Sequence, residues 1–291
     1  MHEDALRESR RLTQFGTLRL SGIDARNFLQ GQISTDISAL TPESVLLASC
    51  NSAQGRVQSV LWLLQRSDEI VLLTSSELLE STAARLRKYV LRAKVKFEAS
   101  TLDVFGRMDA QTNPAAWTAP LLQEQQGEAN VIRWPGARHL IIAPARASDT
   151  DDAFARAWQL ADLQAGIPTL HPQTHETFVA QMLNLDVLGG ISFEKGCYTG
   201  QEIIARTHYR GTVKRRMFRY AANGAAPVPG TRVLAGDEPA GEVVTSAATA
   251  SGSELLAVVQ LSQVERELRL DTESKAVLRR LPLPYAVESG T

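Results

Sequence analysis

One segment of the chain carries residue types suited to thiol chemistry. Residues 188–216 read LGGISFEKGCYTGQEIIARTHYRGTVKRR, with Cys197 near the middle. Gly189, Gly190, Gly196 and Gly200 fall within twelve residues, a density that serves positive φ angles or close backbone approach. Lys195 lies two residues before the cysteine. Arg206, His208 and Arg210 follow it, and no acid occurs between Glu202 and Asp237. Positive charge near a thiol favours the thiolate, and the N–H groups of a glycine-rich turn act the same way. A helix opening at Thr199 or Gly200 and running over residues 202–206 would add the field of its N-terminus. Cys197 therefore reads as a reactive thiol or a soft metal ligand. On chemistry alone it reads as well as a small buried apolar residue. Cys50 follows Leu46-Leu47-Ala48 in an apolar, strand-like run and is expected to be structural.

Other candidates carry less. His171 and His175 have the spacing of a helical metal pair, but Pro172 argues against a helix there and no metal site is expected. Asp186 and Glu194 are loop carboxylates without an evident partner.

The elements that must position these residues are legible in outline. Residues 16–20 alternate as a half-buried strand, and Asp24 can cap a helix over residues 25–30. Residues 57–65 and 69–74 read as two strands joined by a polar turn, and residues 76–89 have helical apolar spacing. Residues 94–98 alternate again. The stretch from about 110 to 130 is rich in Gln, Ala and Thr and reads as a short helix with flexible flanks. Residues 131–134 and 139–143 form a second hairpin around Pro135-Gly136, followed by a strong helix over residues 151–166. The two strand–helix–hairpin halves before residue 166 could be similar subdomains. From Lys214 onward, short alternating segments punctuated by Gly and Pro read as a small antiparallel barrel or sandwich, with the boundary near Gly211.

Composition bounds the function. The 291 residues suit two or three domains, and 44% hydrophobic with 22% charged residues describes a folding, soluble chain. A net charge of −1 disfavours a generally basic nucleic-acid binder but not a local basic patch. Two cysteines are too few for a disulfide framework and fit a reducing compartment. The first residues, MHEDALRESRRL, lack the apolar stretch of a secretory signal, and no apolar run approaches the ~18–20 residues of a membrane span. The cytoplasm is the expected location.

The segment KGCYTGQE, preceded by LGGISF and followed by AR and RG, resembles the sequence mark of the YgfZ family. LSGIDARNFLQGQISTDI, LQAGIP, NLDVLGG and the closing LPLPY agree with that family, so the resemblance covers nearly the whole length. It implies an α+β fold shared with the T-protein of the glycine cleavage system. In that fold two α/β subdomains, which can interleave, surround a central folate cavity within residues 1–211. A C-terminal β-barrel follows over residues 212–291. It further implies tetrahydrofolate binding and support of iron–sulfur enzymes or assembly proteins, including enzymes that thiolate tRNA, with transient iron–sulfur contact. The family cysteine maps onto Cys197, within a motif loop of Lys195, Gly196, Tyr198, Thr199, Gly200, Gln201 and Glu202. Phe15 and Trp158 are placed near the folate cavity, where an aromatic face could stack on the pterin. Gln164 stands where the T-protein segment LEAG has its pterin-recognising glutamate. Arg206 opens a basic run through His208, Arg210, Lys214, Arg215, Arg216 and Arg219. That run could receive a folate glutamate tail or an RNA phosphate, or form a solvated strand face.

The T-protein's own reaction fits less well. Its segment of the form NxxGGxxDD corresponds to residues 51–59 here, where Gln58 and Ser59 replace the two aspartates and carry no charge. Stand-alone aminomethyl transfer is thereby disfavoured. A tetrahydrofolate-dependent transferase or demethylase is the alternative enzyme reading, and a tRNA-binding scaffold is the non-enzymatic one.

Overall fold

The structure, a computed structural model, describes residue 6 and residues 8–109, 116–146 and 151–287. Sixteen strands are described: β1 (Arg10–Arg11), β2 (Phe15–Ser21), β3 (Ser44–Asn51), β4 (Val57–Arg66), β5 (Glu69–Ser75), β6 (Lys96–Ala99), β7 (Leu102–Met108), β8 (Leu121–Gln126), β9 (Ala129–Trp134), β10 (Arg138–Pro144), β11 (Arg215–Ala222), β12 (Arg232–Ala235), β13 (Glu238–Thr249), β14 (Gly252–Gln260), β15 (Leu268–Leu270) and β16 (Val277–Leu281). Among the described residues the α-helices are α1 (Ala25–Gln30), α2 (Leu79–Lys88), α3 (Asp152–Gln164) and α4 (Gln201–Arg210).

β1 to β10 form one curled antiparallel sheet in the order β1-β7-β10-β9-β8-β3-β4-β5-β2-β6. It consists of two five-stranded halves joined where Val45 of β3 pairs with Leu121 of β8. From the joint outward, the halves run β3-β4-β5-β2-β6 and β8-β9-β10-β7-β1. In each, three consecutive hairpin strands are followed by the strand that precedes them in sequence. β1 fills in the second half the edge that β6 fills in the first, so the N-terminal segment completes the distant half. β11 to β16 close a six-stranded barrel in the order β11-β14-β13-β12-β15-β16.

The period of two along the central strands divides the core. Val45 and Leu47 of β3, Val60, Trp62 and Leu64 of β4, and Val71 and Leu73 of β5 face one cluster with α3, residues 167–191 and the barrel's outer face. Leu46, Ala48, Cys50, Leu61, Leu63, Ile70 and Leu72 face the other way, under Phe28 and Leu29 of α1 and Ala83 and Leu86 of α2. Each fully buried side chain of this size contributes roughly 1.5–3 kcal/mol relative to exposure. Along β11 the same alternation sends Met217 toward the sheet and Phe218, Tyr220 and Ala222 into the barrel.

Several expectations need correction. Residues 110–115 lie outside the described residues. Later in that stretch a strand, β8, stands where a helix was expected, paired with β9 around Gly127. Asp24 precedes α1 without a side-chain capping bond. Its Oδ2 accepts from the Lys94 backbone N–H at 2.7 Å instead. Asp151 does cap α3, accepting from the Phe154 N–H at 2.9 Å. Asp186 has a partner: its carboxylate takes a bidentate pair from Arg216, at 2.6 and 2.9 Å. Among the described residues no helix is long and apolar enough to cross a membrane.

Candidate functional site

Two features carry chemistry, a cavity beside α3 and the Cys197 loop. The cavity, of about 460 Å³, lies where the β2–β5 edge of the first half of the sheet, α3 and the barrel meet. Thr13, Gln14 and Phe15 enter it before and at the start of β2, Ser75 to Glu77 after β5, and Thr245 from β13. α3 presents Asp152, Ala155, Arg156, Gln159, Asp162 and Leu163, a stripe at three- and four-residue spacing. A small apolar extension between Phe15, Trp62 and Ile167–Leu170 continues it behind the Phe15 ring, which meets Trp134 edge-on at 6.2 Å.

The polar groups of this cavity are held from behind. Asp162 is buried, and its Oδ1 accepts from the Trp134 indole N–H and from Arg138 Nη1, both at 2.8 Å. Burial pushes the Asp162 carboxyl above its ordinary range, with the Arg138 guanidinium opposing. His171 Nδ1 lies 2.7 Å from Glu77 Oε2, and its Nε2 lies 3.2 Å from Thr245 Oγ1. A carboxylate can only accept, so the Nδ1 proton points at Glu77. Gln14 differs from these: both its amide Oε1 and Nε2 are buried without a hydrogen-bond partner. An orphaned donor and acceptor on one cavity-lining side chain match a polar ligand edge.

The loop is built from Lys195. Its Nζ donates to the carbonyls of Gln30, Ile33 and Thr35 at 2.6, 2.8 and 2.8 Å, using all three ammonium protons. Burial pushes its pKa down to about 8, with Asp36 opposing. This cation therefore fastens the loop to the end of α1, a role different from the expected one of charging the thiol. Tyr198 is buried under the same ammonium, 4.9 Å from its ring centroid, and burial raises its hydroxyl to about 12. The Thr199 N–H donates to the Gly31 carbonyl at 3.2 Å, and Gln201 Nε2 reaches the Lys195 carbonyl at 3.4 Å. Gly200 has φ 84° and caps α4, and a Cβ there would stand 2.5 Å from the Ser52 carbonyl. Only glycine fits. Between these anchors Gly196 has open space around it and Cys197 is exposed. Glu202 is exposed in the first turn of α4. Cys50, by contrast, is wholly buried, and burial raises its thiol pKa against the opposing Arg85.

Of the residues expected at the cavity, Phe15 lines it and three do not. Trp158 is fully buried on another face of α3, pressed so closely on Gly106 that a Cβ there would lie 2.6 Å from its ring. Arg138 covers it at 4.5 Å, so no ring face is left for a ligand. Gln164 turns toward β14 and donates to Glu254 at 3.3 Å. Arg206 is an exposed residue of α4. Residues 195–202 do not line the cavity either. They rest on residues 30–35 and 51–55, next to Gln58, which bridges Arg85 and Glu176. Gln14 and Asp162 went unread in the sequence, and His171 was weighed there only as one half of a metal pair. Asp162 stands only two residues before Gln164, and Gln14 beside Phe15.

The basic run also divides. Arg216 pairs with Asp186 and Arg219 with Glu254, while His208 stacks on Phe193 at 3.7 Å. Among the described residues no group of three His, Cys, Asp or Glu side chains could hold a metal ion.

No protein-family model matches the chain. A tRNA-modifying protein YgfZ from Edwardsiella ictaluri is 31% identical over 310 residues, covering 96% of this chain and 92% of that protein. Another, from Vibrio vulnificus, is 29% identical over 95% and 92% of the two chains. The crystal structure of glycine cleavage system aminomethyltransferase T from Bartonella henselae superposes with a TM-score of 0.72 at 13% identity, covering 98% of this chain and 89% of that one. That likeness shows a shared fold of curled sheet and barrel. The near-complete match in sequence assigns the chain to a family: it belongs to the family of the tRNA-modifying protein YgfZ.

Proposed function

We propose that the chain binds a reduced folate in the cavity beside α3. We further propose that Cys197 carries the thiol chemistry through which it supports iron–sulfur-dependent tRNA modification in the cytoplasm. The observation that carries the reading is Gln14, a residue of the cavity wall beside Phe15 and Asp162 whose two amide atoms are buried without a partner. A pterin has flat faces and an edge of alternating donors and acceptors. Phe15 offers a ring, Gln14 one donor and one acceptor, and Asp162 a carboxylate whose Oδ1 is fixed by Trp134 and Arg138. Arg156 and His171 are the basic residues lining the cavity and suit a glutamate tail. Bound tetrahydrofolate would supply a one-carbon carrier or a reduced ring.

The thiol acts separately, on a loop whose Lys195 anchor leaves it in solvent. One thiolate cannot complete the usual four-cysteine ligation of a cluster, so contact with a cluster is shared with a partner protein and transient. Aminomethyl transfer is disfavoured, because Gln58 bonds to Arg85 and Glu176 where the T-protein resemblance calls for a catalytic carboxylate. In cells dependent on this chain, Cys197→Ser is expected to lower iron–sulfur enzyme activity and tRNA thiolation to the level of cells lacking the protein. Full activity of that variant would remove the thiol from the account.

A further inference from the structure

A second basic segment stands apart from the run around α4. Residues 85–96 read RLRKYVLRAKVK, with six basic residues and no acid. They form the end of α2, a turn and the start of β6. Arg92, Lys94 and Lys96 are exposed, while the alternating Ala93, Val95 and Phe97 pack on the cluster beneath α1 and α2. The three exposed cations fall within five residues, over the turn and the first residue of β6.

The nearby acids are engaged elsewhere. Glu80 pairs with Arg87 at 3.6 Å, and Glu98 approaches Arg19 at 3.7 Å. Asp24 accepts from the Lys94 backbone. Among the described residues, Lys88, Arg92, Lys94 and Lys96 form no ion pair. Beside them Tyr89 is 46% exposed and Leu91 88% exposed. The Tyr89 ring is backed by the guanidinium of Arg85 at 5.1 Å. That guanidinium is itself fixed by Gln32 and by the Asn51 carbonyl at 2.8 Å. Asn51 in turn touches Gly200 of the thiol loop. The exposed aromatic thus stands at the end of a cationic strip, backed by Arg85 and three contacts from the Cys197 loop.

We infer that the strip from Lys88 to Lys96 is the surface on which single-stranded RNA docks. Arg92, Lys94 and Lys96 track phosphates and Tyr89 stacks on a base. The choice of RNA among polyanions rests on the reading that the chain serves tRNA modification.

The test measures binding of fluorescein-labelled tRNA and of a short oligouridylate by anisotropy across a salt series. The full chain is compared with the triple variant Arg92→Glu/Lys94→Glu/Lys96→Glu and with Tyr89→Ala. The triple variant is expected to bind at least about tenfold more weakly, with a log K against log salt slope shallower by about 2. Tyr89→Ala is expected to lose about tenfold with its slope unchanged. Tetrahydrofolate binding by the triple variant should equal that of the unmodified chain, which shows that it is folded. It also keeps failure of this surface distinct from failure of the folate reading. Three results would overturn the inference. One is RNA binding that survives the triple variant but falls with Arg206→Glu/Arg210→Glu. Another is no RNA binding by the unmodified chain. The third is strip-dependent sedimentation with phosphatidylserine vesicles in place of RNA binding.

Discussion

Cys197 and Lys195 show how a charge and a thiol two residues apart can part company. The sequence places a cation two residues from the cysteine, and electrostatics then suggests an activated thiolate. In the fold the side chains separate: the ammonium turns inward to three carbonyls and the thiol stays in solvent. Exposure, and not the lysine's charge, distinguishes Cys197 from Cys50. An Ellman-type reagent should therefore titrate one thiol in the native protein and two after denaturation, and Cys197→Ser should leave none reactive in the native state. Lys195→Met would leave three carbonyls without their donor and is expected to cost about 2–4 kcal/mol in urea unfolding. A change under about 0.5 kcal/mol would show that the anchor contributes little.

Among the elements, those with strong apolar periodicity were legible: α1, α3, the β4–β5 and β9–β10 hairpins, and most of the barrel. β8 was not, and Gln123 explains why. The strand alternates buried and exposed residues, but the inward position after Leu121 is this glutamine, whose amide donates to the carbonyls of Pro42 and Gln65. A polar residue satisfied inside the fold hides the period of two from any hydrophobicity reading. Capping was misread in a similar way. Asp24 serves a distant backbone N–H, while Asp36 caps the 3-10 turn Ile37–Ala39 beside the Lys195 anchor, accepting from the Ser38 N–H. Asp36→Ala should cost about 1 kcal/mol at neutral pH. The Ser38 backbone N–H, with Gln30 and Lys195 adding to it, holds the Asp36 carboxyl below its ordinary 3.8. A depressed carboxyl stabilises the fold fully above the unfolded value and loses that contribution as pH falls through the folded one. The urea midpoints of Asp36→Ala and the unmodified protein should therefore converge in acid. A gap that persists below the folded pKa would place the effect outside this charge.

For the molecule as a whole, the repeated strand order and the barrel decide what α3 can do. The helix is packed on β7 through Trp158 and Gly106, and Gln159 reaches the Ser246 carbonyl of β13 at 3.0 Å. That fixes its rotation and turns Asp162 and Leu163 into the cavity, with Trp158 and Gln164 elsewhere. Family resemblance pointed to this helix and to Phe15, and Phe15 lines the cavity. The phase of the helix, set by tertiary contacts, decided which side chains line the wall, and Gln14 joins that wall from the segment between β1 and β2. Calorimetric titration with tetrahydrofolate, comparing the unmodified chain with Gln14→Leu, tests the central claim most directly. Saturable binding by the unmodified chain and at least about tenfold weaker binding by the variant, the loss of two hydrogen bonds, is the predicted result. Equal affinity in the two proteins, or no binding by either, would contradict it.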